Sequence, residues 1–158
     1  MTNKKELFDK IRELKEERKI LATTRDEELA KYKQASRECD EAYEKMAFTR
    51  SEMVKARREK YAARGVANSA TSKEYEQAWD DYSIAEQVYE DALNRYKAED
   101  SNFRDAFAKK RVAGELYNYY RDLVKGLSEE IGLLYRKVPK KKGKSPKNTT
   151  PPTTEAGE

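Results

Sequence analysis

Apolar residues recur along this chain at alternating spacings of three and four. In the second half, Tyr75, Tyr82, Tyr89, Tyr96 and Phe103 stand one heptad apart, and Ala78, Ala85, Ala92 and Ala106 form a second series three residues behind. The two series continue as Tyr117 and Tyr120, Val124 and Leu127, Ile131 and Leu134, then Val138, softened only at Glu99, Lys110 and Ala113. In the first half, Leu7, Ile11, Leu14 and Leu21 make a stripe in which Arg18 takes one place. Tyr32, Cys39, Met46 and Met53 then resume it, with Ala35, Ala42, Thr49 and Ala56 three residues after each. A 3-4 repeat of this kind marks a helix seam that packs along another helix.

The two stripes predict an all-α chain: a long antiparallel, coiled-coil-like helical hairpin over residues 1–138. Helix 1 is expected over about 3–63, capped by Thr2 or Asn3, and helix 2 over about 72–137, where Pro139 stops it. The loop is expected at 64–71. Gly65 suits a helix C′ position, and Thr71 with Glu74 matches a capping box. The polar stretch from Thr23 to Glu28 contains a second such match, Thr24 with Glu27, but a continuous helix is the favoured reading. Gly114, Gly126 and Gly132 mark the place where helix 2 would kink or fray. With a turn centred near Asn68, residue i faces roughly residue 136 − i. Tyr75 then meets Tyr61, Tyr96 comes near Cys39, Asp26-Glu27-Glu28 faces Lys109-Lys110-Arg111, and Leu7, Ile11 and Leu14 cover Leu123, Val124 and Leu127.

Composition makes the core thin. Leu, Ile, Val and Phe number 24 of 158 residues, while charged residues make up 41%. A compact sphere needs more apolar volume than this. The net charge of +4 is unevenly placed: from Arg136 onward there are seven basic residues and two acidic ones, leaving the body near neutral. Residues 139–158, rich in Lys, Pro and Thr, are expected to be a disordered basic tail. The N-terminus has no signal-peptide core and no stretch long enough to span a bilayer, so an intracellular, soluble protein is expected, with a nuclear location left open for a eukaryotic host.

The chemistry is sparse. The chain has no histidine, which removes the usual general base and the commonest metal ligand. No phosphate-cradling Gly-rich loop is present, and Cys39 lies on the seam, where a small apolar role fits it. No enzyme activity, cofactor or metal is expected. Aromatic residues are more numerous than one seam can use. Trp79, Phe107 and Tyr135 lie off the seam, and Tyr117, Tyr119 and Tyr120 crowd one stretch, so these six are the candidate partner-binding residues. The expected partner is a second hairpin, giving a dimer of hairpins, or another helical protein. A membrane partner is disfavoured because the body charges alternate in sign.

Lys137, Lys140, Lys141, Lys142, Lys144 and Lys147 are the candidate polyanion-binding residues, since clustered lysines on a tether attract phosphates without sequence specificity. Pro139 to Lys144 resembles a monopartite nuclear localisation signal, and Lys144-Ser145-Pro146-Lys147 resembles the Ser-Pro-Lys elements of linker-histone tails. The leading expectation is a structural or adaptor protein that self-associates through the hairpin and touches an anionic partner through the tail. The alternatives are a nucleic-acid-associated protein and a viral-type assembly or scaffolding factor.

Overall fold

The computed structural model describes residues 3–139. The tail lysines at 140, 141, 142, 144 and 147 and the expected disorder of the tail lie outside the described residues. Two long helices pack against each other: α1 over Lys4–Asn68 and α2 over Tyr75–Lys137. Asn3 is the cap of α1, its side-chain oxygen accepting from the Glu6 amide at 3.0 Å, which satisfies one of the donors a helix start leaves free.

Both helix boundaries at the turn fall later than the sequence reading placed them. Gly65 does not end α1. The seam continues through Ala63 to Ala67, which is 2% exposed, so ending the helix at Gly65 would forfeit that burial. Termination comes at Ser69, whose amide and hydroxyl both donate to the Gly65 carbonyl, at 3.2 and 3.0 Å. Thr71 does not cap α2 either. Its carbonyl accepts from the Glu74 amide at 3.0 Å, closing a turn, and the helix begins one residue later. Thr23 and Thr24 likewise stay inside α1, their hydroxyls donating to the Lys19 and Ile20 carbonyls four residues back. Such back-bonding satisfies a mid-helix threonine without breaking the helix. The glycines of α2 interrupt nothing: the helix is continuous to Lys137.

The chain divides into two compact units, one joining the start of α1 as far as Arg25 to α2 from Tyr119 on, the other comprising residues 26–118. In the terminal unit the core is aliphatic. Leu7, Ile11, Leu14, Val124 and Ile131 are buried, and Leu127, Leu134 and Val138 pack against Ile11, Leu14 and Ile131. In the unit of residues 26–118 the buried apolar residues are Cys39, Ala56, Ala67, Ala78 and Ala92, with no large side chain among them. The seam tyrosines Tyr32, Tyr82, Tyr89 and Tyr96, with Met46 and Met53, are half-buried. Small residues at the centre and rings at the flanks are the large-small alternation of the sequence carried into three dimensions.

The register differs from the expected one by about ten residues. Tyr43 meets Phe103 with ring centroids 5.5 Å apart, Lys60 reaches Glu86 at 4.0 Å, and Tyr32 lies against Gly114. In the terminal unit Arg18 donates to Ser128 at 3.3 Å. Each of these pairs sums to 146, not 136. The turn comes later, between Asn68 and Tyr75, and the pairing is centred on residue 73 instead of 68, which adds ten to every sum. Glu28 therefore falls level with Asn118 and Lys110 with Ser36, so the two charge runs are offset along the helices, although Glu28 and Lys109 still line one groove. Tyr75 falls level with Thr71 at the turn, and Tyr96 with Arg50. Ile11 and Leu14 reach Ile131 rather than Leu123 and Val124.

Candidate interaction surfaces

The seam settles which side chains are left for another molecule. Every heptad position from Ala78 to Val138 on α2, and from Leu7 to Ala70 on α1, is buried or half-buried, including Arg18, Arg25 and Glu28. Tyr117 and Tyr120 belong to this seam and are half-buried. They are packing residues of the hairpin before they are anything else. Tyr119 points away from it, 57% exposed, with its ring edge-on to Tyr120 at 5.2 Å.

The other candidate aromatics sit one position beyond the small-residue series of α2, where a helix flank borders the seam. Trp79 stands between Tyr75 and Tyr82, its centroid 6.1 and 5.6 Å from theirs. Its indole N–H is buried and finds no acceptor among the described residues, a cost of about 1–3 kcal/mol to the fold. Phe107 is 53% exposed and tilted against Phe103 at 6.2 Å. Tyr135 belongs to the terminal unit. Its hydroxyl accepts from Lys15 at 2.6 Å, and the same ammonium lies 5.0 Å from the ring centroid. The six candidates are thus brought together not at one place but at several points along α2. Lys137 is exposed in the last turn of α2.

Several exposed residues were missed by sequence reasoning. Tyr43 and Tyr61 on α1 are 53% and 58% exposed, and Phe48 is more exposed still. Arg50, Arg57 and Arg64 follow Tyr43 at successive intervals of seven, all exposed, and none makes an ion pair among the described residues. The signal was available: all four hold the position directly after the small-residue series, as Trp79 and Phe107 do on α2. A surface groove of about 630 Å3 runs along this side of α1, lined by Tyr43, Met46, Ala47, Arg50, Val54 and Arg58 among others.

Charge is also partitioned between the paired segments. From Tyr75 to Asn94 α2 carries six acidic residues and no basic one, whereas from Arg50 to Arg64 α1 carries six basic residues and two acidic. At the observed register these stretches lie opposite each other. Lys60 bridges them, 4.0 Å from Glu86 and 4.9 Å from the Tyr89 ring centroid.

No group of three or more His, Cys, Asp and Glu converges on a metal-sized site among the described residues, and no helix there is long and apolar enough to cross a membrane. The class these features define is an all-α helical hairpin with aromatic and charged flanks. No protein-family model, curated protein or solved structure matches the chain.

Proposed function

We propose that this chain is a non-enzymatic structural or adaptor protein that self-associates through its hairpin and contacts an anionic partner through the lysines at 140–147. The observation that carries the reading is the surplus of exposed rings. Tyr43, Tyr61, Phe107 and Tyr119 remain more than half exposed although the seam is already filled along both helices. Water-exposed aromatic area of this kind is the usual raw material of a protein interface. The absence of histidine from the sequence and the placement of the grooves along helix flanks both favour a binding role over a catalytic one. Light scattering across a concentration series tests it: a mass that rises to twice the chain mass is expected, and a strict monomer at high concentration refutes it.

A second reading, non-specific nucleic-acid binding, is favoured by Arg50, Arg57 and Arg64 of α1, which make no ion pair among the described residues, together with the tail lysines. It predicts affinity for random-sequence DNA that falls steeply with salt, in proportion to the phosphates engaged. Deleting residues 139–158 should weaken that binding strongly and lower its salt dependence while leaving helicity intact. Indifference to DNA at low salt would end this reading.

A further inference from the structure

We infer that a second copy of this chain docks on the face bordered by Arg50, Arg57 and Arg64 of α1 and Glu76, Glu86 and Glu90 of α2, related by a two-fold axis parallel to the helices. The inference rests on the self-association proposed above and specifies its surface and symmetry. Residues seven apart share a helix face, so Tyr43, Arg50, Arg57 and Arg64 form one flank of α1, joined by Ala47, Val54 and Tyr61 one turn further out. On α2 the flank on the same side runs through Trp79, Glu86 and Leu93, joined by Glu76, Ser83 and Glu90. The contact of Tyr43 with Phe103, and of Phe103 with Phe107, fixes that these flanks border the same side of the seam. Over these stretches the α1 flank contains no acid and the α2 flank no base.

A closed two-fold contact is isologous, so the face must be complementary to itself. Two arrangements bring it against its own copy. With the axis across the helices, α1 lies on the other α1 and arginines meet arginines. With the axis along them, α1 of one copy lies antiparallel on α2 of the other, and arginines meet glutamates. The second arrangement repeats the internal register, so Arg57 falls level with Glu90 of the second copy, their numbers summing to 147. Charge pairing selects the orientation, and the rings and the groove along Tyr43, Ala47 and Val54 supply the apolar contact. The opposite flank of α1, with Lys45, Glu52, Lys55 and Glu59, mixes its signs and selects nothing.

Sedimentation equilibrium on the full chain tests this. Arg57→Glu and Glu90→Arg are each expected to weaken the dimer by about tenfold or more, and the double variant to restore it. Circular dichroism of each variant, with Arg57→Gln as a milder change, separates loss of docking from loss of fold. A Ser72→Cys variant, in which Cys39 is buried, should be joined loop to loop by a short bis-maleimide, because this symmetry puts both turns at one end. A dimer unmoved by either charge reversal, or one whose loops cannot be joined, overturns the inference while leaving self-association standing. So does a dimer that persists in Arg57→Glu while DNA binding is lost. A wild-type monomer at all concentrations overturns both.

Discussion

Gly114 and Gly126 both lie inside α2, yet replacing each by alanine should give different results. In a helix interior alanine is better than glycine by about 1 kcal/mol, because glycine surrenders more backbone freedom on folding. At Gly126 nothing lies within 4 Å of the added methyl, so the whole gain should appear, raising the melting temperature by about 2–4 °C for a chain of this size. At Gly114 the methyl would stand 3.2 Å from Tyr32 Cε2 and 3.4 Å from Cδ2. Tyr32 is a half-buried seam residue, so its ring must move by a few tenths of an ångström against its own packing. Displacing a packed ring from its rotamer costs of order 0.5–1.5 kcal/mol, which offsets the backbone gain and leaves Gly114→Ala near zero. Thermal unfolding followed by circular dichroism reads both. In a Tyr32→Leu background the obstacle is gone, and Gly114→Ala should recover the full increment, a coupling measurable as a double-mutant cycle. Equal gains at Gly114 and Gly126 in the wild-type background would refute the close approach of the helices there, and with it the observed register.

Ala92 is 2% exposed in a centre built of alanines. Ala92→Leu should cost about 1–3 kcal/mol by overpacking, read as a lower denaturant midpoint; a neutral result would mean the helices are not closely apposed at that level. Trp79→Phe removes an indole N–H that has no acceptor among the described residues, so its lost contact area should be largely offset and the change should fall within about 1 kcal/mol. A larger loss would show that a water or another molecule bonds that N–H. Tyr89→Asp puts a carboxylate into the seam, where Lys60, 4.9 Å from the ring centroid, would pair with it. Adding Lys60→Met should deepen the loss by about 3 kcal/mol, and additive effects would place Lys60 elsewhere in solution.

The aromatic flanks were half legible. Trp79, Phe107 and Tyr135 could be set apart because they break the α2 repeat, and they do lie off the seam. Tyr117 and Tyr120 already stood on the stripe by heptad phase, and the structure keeps them there; crowding alone had grouped them with the exposed Tyr119. Tyr43 and the three arginines after it were passed over because each looks ordinary beside its neighbours in the chain. They become a face only when every seventh residue of α1 is set beside the matching flank of α2.

Periodicity by itself determined that the chain is two helices joined by one turn, and which residues face inward, apart from Tyr75, read as the first residue of the α2 stripe but 54% exposed where that helix leaves the turn. That is a local property: 3.6 residues per turn convert spacing directly into direction. Even the polar stretch around Arg25 and Glu28 kept its phase, because heptad phase depends on position and not on residue type. Pairing was decided only by the tertiary structure. The level at which two helices meet depends on where the turn ends, and Gly65 and Thr71 were cues that the burial of Ala67 outweighed. A five-residue shift of the pairing centre moved every partner by ten, leaving the helix faces largely as read and changing what they meet.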